Sequence, residues 1–560
     1  MRKQKLYKAH RYFLLFFICF LLAAYFTLSA DAKQGIKGLT DLPFCVPDIK
    51  EPKFPNKTFR ITDYGAVSDG HTKNTESFAA AIRACSKAGG GSVIVPAGLW
   101  LTGPIQLKSN VELHTEKGAV VQFSGDIEDY PLLKRTSGGR PEVRYMPPIY
   151  GENLKNIGIT GFGIFDGSGD SWRPVKKVKM TDSQWQKLIA SGGVLDGKGE
   201  IWYPSQEAMN GPKTVAELDA RGADVNEYAA AGQFLRPVLL GLVNCKNVLI
   251  DGPTFQNSPD WNIHPLLCEN MIIQNITVRN PWYSANGDGL DPESCKNVII
   301  RNCKFDVGDD AICMKSGRDE YGRKRGAPTE NVAIWDCIVY HGHGGFVIGS
   351  EMSGGIRNVY VRNCDFMGTD AGLRFKSTRG RGGVVENIFI RDIFMKDIAS
   401  NVVIFDLSYP RRQGIDESAE EDIRKANEGT PVFRDIHFKN IICNDAGGAM
   451  SIQGLPEMPT QKLYFEDIVI SAKSGVNCFE ADNINFKNVR IMPQKGPVFT
   501  LNNSRNFIFE NITVPDSNEV FIKLEGGRTE AIRLKGVDKT QIDKKIQFGE
   551  NVKPDAVIIE

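Results

Sequence analysis

Between Asn244 and Asp392 the chain repeats one short pattern, an asparagine followed by alternating apolar and polar positions. The copies read NCKNVLID from Asn244, LCENMIIQN from Leu267, SCKNVIIRNC from Ser294, PTENVAIWDC from Pro328, GIRNVYVRNC from Gly355 and VVENIFIRD from Val384. Their shared asparagines are Asn247, Asn270, Asn297, Asn331, Asn358 and Asn387, spaced by 23, 27, 34, 27 and 29 residues. Weaker copies precede the block (LKNIGITG) and follow it (FRDIHFKNI, NINFKNVRI, RNFIFENITV). Strict alternation is the period of a strand whose side chains point to opposite faces. A period in the twenties with one clear strand, and no helical period between, is a solenoid whose coils stack about 4.8 Å apart. The pattern therefore predicts an all-β chain wound as a right-handed parallel β-helix. A β-sandwich competes, but regular single-strand repeats with asparagine at one offset argue against it.

The repeat sets a register for everything else. Cys245, Cys268 and Cys295 fall two residues before the repeat asparagine, and Cys303, Cys337 and Cys364 six after it. Equal offsets on successive coils predict ladders of small buried thiols, with a disulfide between neighbouring coils as the alternative. Farther along, AICMKS (Ala311 to Ser316), GFVIGS (Gly345 to Ser350) and GLRFKS (Gly372 to Ser377) share one offset. Ile312, Phe346 and Leu373 then stack inward, as do Met314, Ile348 and Phe375. Alternation turns Lys315, Arg374 and Lys376 outward, as a carboxylate clamp or as ordinary surface charge.

The same register gathers acids. Asp309 takes the offset of His343 and Asp310 that of Gly344, while aligning Leu290 with Ile312 places Asp288 at the offset of Asp310. Asp288, Asp309, Asp310, His343, Arg374 and Lys376 should converge on one outer face over four coils. Packed carboxylates disfavour one another's ionisation, so one of them should hold its proton towards neutral pH. A general acid beside a general base is what glycosidic hydrolysis needs.

Composition narrows the classes. The 560 residues carry 68 basic and 67 acidic side chains, so no global basic field attracts nucleic acid. Residues 1–32 join basic Arg2, Lys3, Lys5, Lys8 and Arg11 to an apolar run and an Ala30-x-Ala32 site, the layout of a secretory signal, with a membrane anchor as the rival. Its removal would leave 63 basic against 66 acidic residues, a net charge of −3, and eleven cysteines, an odd number. No Walker loop, dinucleotide fingerprint or zinc-ligand spacing stands out, and GGGS at Gly89 is a turn before a strand.

Four motifs now carry a resemblance: NGD (Asn286 to Asp288), GDD (Gly308 to Asp310), GHG (Gly342 to Gly344) and RFK (Arg374 to Lys376). In this order they resemble glycoside hydrolase family 28, the polygalacturonases, and FRITDYGAVSDG from Phe59 resembles that family's entry into its solenoid. The likeness spans roughly residues 58 to 515. Gly287 and Phe375 depart from the family's usual Asn-Thr-Asp and Arg-Ile-Lys. The resemblance implies a pectin-lyase-like solenoid and an inverting hydrolase of α-galacturonosidic bonds that uses no metal or other cofactor. Asp309 would be the general acid, Asp288 and Asp310 would activate water, and His343 would tune the acid. Arg374 and Lys376 would hold the uronate carboxylate. Asn286 and Tyr409, the latter in FDLSY, would contact substrate.

A segment between Gly167 and Arg236 interrupts the pattern. DSQWQKLIAS reads as a helix, and Trp172, Trp185, Trp202 and Tyr203 offer flat apolar surface. As a lid it would close one end of a groove, resembling exo-acting bacterial members; the alternative is a structural flap. Trp261 and His264, in SPDWNIHP, either line that pocket or pack in the core. The resulting expectation is an exported, periplasmic or extracellular monomer. Its organisation would be a signal (1–32), an N-terminal extension (33–57) and one β-helix domain (58–560). That domain would carry an insertion at about 168–235 and capping coils from about 515. It would act on galacturonate-containing pectic chains from the non-reducing end, without nucleic acid and without stable membrane insertion after signal cleavage. The alternatives are a galacturonidase of rhamnogalacturonan fragments, an endo-acting enzyme, a pectate or rhamnogalacturonan lyase, and a noncatalytic carbohydrate-binding β-helix. A lyase would need a calcium-binding acid cluster and a basic catalytic residue.

Overall fold

Asn247 Nδ2 donates to Asn156 Oδ1, and the same bond recurs coil after coil through Asn270, Asn297, Asn331, Asn358 and Asn387 at 2.9–3.3 Å. Upstream it extends through Asn156 to Asn110. Each of these asparagines has φ between 55° and 63°, the left-handed conformation that asparagine tolerates best after glycine. The repeat residue thus turns the chain and knits adjacent turns together.

The fold is a parallel β-helix, seen here in a computed structural model that describes residues 42–44, 47–137, 139–409, 424–514, 519–537 and 542–560. Residues 51–560 form one compact unit. The expected signal and part of the N-terminal extension, Cys19 and Cys45 among them, lie outside the described residues, and among the described ones no helix is long and apolar enough to cross a membrane. Strands pair in parallel and in register from coil to coil, for example Ile250 with Ile273, Ile273 with Ile300 and Ile300 with Ile334. Inward residues fuse into one continuous apolar core that runs the length of the unit. The ten described cysteines are buried and free, so the thiol ladders form and the disulfide alternative does not among the described residues. Helix α1 (Thr75–Lys87) lies against the first coils and buries Phe78, Ala81, Ile82 and Cys85. At the other end, Ile522–Glu525, Glu530–Lys535, Ile546–Phe548 and Val557–Ile559 add further parallel strands.

The interrupting segment holds more helix than its sequence announces. α2 (Asp182–Ala190) is the expected one, closed by a capping box of Thr181 and Gln184. α3 (Gln206–Arg221) was hidden by Gly211 and Pro212 in its interior, although Ser205 caps its start and left-handed Gly222 ends it. The tryptophans are not the flat surface expected of them. Trp172 (1 % exposed) packs with Tyr130 and Tyr145, while Trp185 and Trp202 pack with Val175. A surface excursion this long needs its own cores to stay ordered, and the large indoles supply them.

Candidate active site

Four strands in register build the site: β1 (Ile263–Leu266), β2 (Ile312–Met314), β3 (Gly344–Ile348) and β4 (Ala371–Lys376). Residues Leu290 to Glu293 bridge β1 to β2, with Leu290 opposite Ile312. The stacks Ile312–Phe346–Leu373 and Met314–Ile348–Phe375 form as the register requires. Asp309, Asp310 and Asp288 consequently meet, with an oxygen from each lying within 4.8 Å of the others.

The two departures from the family pattern have local causes. A Cβ on Gly287 would sit 2.0 Å from Ser284 Oγ, which itself donates to Pro281 O, so the turn leaves no room for a side chain. Phe375 is buried and stacks on Phe405 at 4.3 Å, joining an aromatic column in the core.

Charge balances inside the protein. Lys376 Nζ lies 2.6 Å from Asp310 Oδ2, and Arg374 lies 3.7 Å from its other oxygen. Lys315 Nζ reaches Glu351 (3.4 Å), Asp291 (3.5 Å) and Asp288 (3.9 Å), and sits 4.4 Å from the centre of the Trp261 ring. Lys315 and Lys376 do point out of the coil, but they are only 3 % and 6 % exposed, which corrects the surface-charge alternative. Burial opposes their charge, yet the surrounding carboxylates hold both ammonium groups above their ordinary pKa.

Acid protonation differs sharply across the cluster. Burial, then Asp291 and Asp309, push Asp288 well above the carboxylate range. Asp291, fully buried with neither oxygen hydrogen-bonded, is pushed up to about 8, chiefly by burial. Burial would raise Asp309 too, but His343, Lys376 and Lys315 outweigh it and hold this acid well below the usual range. Asp309 also accepts from the backbone amides of Asp310 (3.0 Å) and Asn286 (3.3 Å). Contact with Asp309 raises His343 against its burial. His343 Nδ1 lies 3.4 Å from Asp309 Oδ1, and its Nε2 3.3 Å from Asp370 Oδ2. The acids pushed upward are thus Asp288 and Asp291 rather than Asp309, because His343, the two lysines and two backbone amides stabilise the Asp309 charge.

The remaining expected residues separate. Tyr409 spreads its ring 5.3 Å from the Arg374 guanidinium and 5.2 Å from Lys376 Nζ. Asn286 Oδ1 accepts from Arg236 at 2.9 Å, tying the site to the inserted segment. Trp261 lines a cavity of about 420 Å³ beside the acids, together with Asn286, Tyr203, Phe234, Arg236 and Glu351. His264 does not line it. It is 2 % exposed and bonds Glu293 Oε2 at 2.9 Å, with burial lowering its pKa and Arg325 holding the other Glu293 oxygen at 2.6 Å. Sequence reading passed over Asp291, Glu351 and Asp370. Asp291 follows the inward Leu290, so alternation turns it outward into the cluster of Asp288, and that signal was present. Nothing local marks the other two.

The description Glycosyl hydrolases family 28 matches residues 175–485, more than half of the chain. A probable polygalacturonase of Vitis vinifera is 30% identical over 73% of this chain and 73% of its own length. An exo-poly-alpha-D-galacturonosidase of Dickeya chrysanthemi is 28% identical over 77% of this chain and 70% of its own. Among solved structures, a hyperthermoactive exopolygalacturonase from Thermotoga maritima superposes with a TM-score of 0.63 at 35% identity, covering 83% of this chain and 94% of that one. The chain belongs to glycoside hydrolase family 28.

Proposed function

We propose that this family 28 glycoside hydrolase cleaves α-galacturonosidic bonds of pectic chains, releasing sugars from the non-reducing end. The observation that carries the reading is the convergence of Asp288, Asp309 and Asp310 beside His343, Arg374 and Lys376. Arg374 has its guanidinium half free of Asp310 and backed by Tyr409, which suits a uronate carboxylate. Asp309 delivers a proton to the leaving oxygen. His343, whose pKa is raised by its contact with Asp309, supplies that proton through the His343–Asp309 contact as negative charge develops on the leaving group. Asp310 is placed to take the proton of the attacking water, and Asp288, which holds its own proton, orients that water.

Exo action is supported by the inserted segment. Its residues Trp172, Pro174, Tyr203, Phe234 and Arg236 wall the 420 Å³ cavity beside Asn286, within the ~300–1,000 Å³ of pockets that enclose one small ligand. A walled cavity next to the acids suits a chain end. Inversion rests on the likeness to family 28 and not on spacing, because the nearest single oxygens, within 4.8 Å of one another, do not measure the roughly 6.5–9.5 Å between whole carboxyl groups of inverting enzymes. We place the enzyme outside the cytoplasm, on the basic and apolar start of the sequence. Residues 58–560 are read as one catalytic domain.

The test is product profiling on polygalacturonate and on short oligogalacturonides, with wild type and Asp309→Asn. Small products from the first time points, lost in the variant, support the reading. A ladder of mid-sized oligomers overturns exo action, an unsaturated product absorbing in the ultraviolet indicates a lyase, and no turnover moves the substrate to rhamnogalacturonan fragments.

A further inference from the structure

A second, larger cavity of about 1,030 Å³ shares no lining residue with the first and reaches the acids at His343 and Asp370. Its floor is built by register. Asp166, Gln256, Arg279, Asp306 and His341 are Cα partners in sequence, each ending one strand of successive coils. Four steps of about 4.8 Å make the floor roughly 19 Å long, enough for several sugar rings in line.

Its charges are unevenly satisfied. Every carboxylate of the groove has a partner. Asp166 accepts from Gln256 at 2.7 Å, Asp170 from Asn257 at 2.9 Å, and Asp306 contacts His341 at 2.9 Å. Asp370 contacts His343 at 3.3 Å. The two long cations do not: among the described residues neither Lys179 nor Arg279 has a carboxylate partner, and Arg279 is exposed. Trp282 lines the same groove, 49% exposed, with Lys179 Nζ 5.9 Å from its ring centre. The indole packs edge-on against Tyr283, which rests on the Trp185–Trp202 core of the inserted segment, and Ser284 and Asn280 close the loop by bonds to Pro281 O and Gly287 O. An exposed indole in one groove with these cations matches a chain of sugar rings that each carry a carboxylate. A neutral glycan would use the indole and leave the cations idle.

We propose that this groove is the track for the galacturonate chain on the leaving-group side of the scissile bond, with Trp282 as stacking platform and Lys179 and Arg279 as carboxylate contacts. The side follows from His343, which lines the groove and bears on Asp309, the acid that protonates the leaving oxygen. The walled cavity takes the chain end. This inference rests on the proposed activity and adds residues that set preference for chain length and for free over esterified carboxylates.

The experiment compares wild type, Trp282→Ala and Arg279→Ala on digalacturonate and on oligogalacturonides of increasing length. Binding of the same series, and of its methyl esters, is measured in parallel on Asp309→Asn with and without each groove substitution. The expected result is kcat/KM that rises with length in wild type and falls about tenfold on long chains in Trp282→Ala, the loss of one well-packed contact, with digalacturonate unaffected. Arg279→Ala should lose the preference for free acid over ester. Equal length dependence in all three proteins, with turnover intact, overturns the track. If wild type turns over no galacturonide, the proposed activity fails. Length-dependent binding abolished by Trp282→Ala would then still support the track, and its absence would overturn both.

Discussion

His343 stands between two carboxylates, with Nδ1 3.4 Å from Asp309 and Nε2 3.3 Å from Asp370. In the proposed mechanism the imidazolium that this arrangement favours is the proton store for Asp309, so activity should fall on the alkaline side as the store empties. His343 has a raised pKa, so its contribution to stability is complete below about pH 6.5 and is lost as pH rises through the raised value. Asp309 has a lowered one, so its contribution is lost only as pH falls far into the acid range. Asp370→Asn should move the alkaline limb of kcat/KM downward by about 0.2–0.7 pH units, the worth of a half-exposed pair of ~0.2–1 kcal/mol. His343→Ala should lower the rate and remove that limb. An unmoved limb in Asp370→Asn would show that Asp370 does not act through His343.

Asp291 should make the protein less stable as pH rises. Its folded pKa of about 8 exceeds that of the unfolded chain, so between about pH 4 and 8 the native state binds more protons than the unfolded one and stability falls. Asp291→Asn keeps the shape and discards the charge. Its Tm should exceed that of wild type by more at pH 8 than at pH 5. Calorimetry at both values checks this, and a Tm gain that is equal at the two would refute the titration.

Lys315 faces Asp288, Asp291 and Glu351 from a site 3% exposed. Lys315→Met fills the same space and strands those acids, which should cost about 3–5 kcal/mol in a denaturant titration. A much smaller loss would mean that water enters the cluster and screens it.

Asn297 donates to Asn270 at 2.9 Å and accepts from Asn331 at 3.0 Å with φ of 58°. Asn297→Ala breaks both bonds and leaves alanine in a left-handed conformation, for about 2–4 kcal/mol together. Asn297→Gly retains the conformation and should recover about 1–2 kcal/mol of that.

Stereochemistry has a direct readout. Inversion at an α-linkage releases the β-anomer first, so proton NMR in the first minutes of hydrolysis should show β-galacturonate ahead of its equilibrium share. An α-anomer appearing first would assign a retaining mechanism.

Much of this was legible in sequence because a solenoid turns linear offset into spatial position. Once Asn247, Asn270 and Asn297 set the coil, counting residues was enough to bring Asp288, Asp309, Asp310 and His343 together and to point Arg374 and Lys376 at them. Counting also placed the thiols of Cys245, Cys268 and Cys295 in the core, since alternation fixes which face is buried. Tertiary structure decided what offsets cannot express. Burial of Lys315 and Lys376 depends on what covers them. Asp309 is held below the carboxylate range and His343 above its own, while Asp288 and Asp291 are pushed up, because of desolvation and neighbouring charge summed over several coils. His264 was drawn to Glu293 rather than to the cavity by a partner 29 residues away. The inserted segment has no repeat to count against. Its α3 helix, its indole cores and the two cavities it shapes beside the acids follow from packing alone.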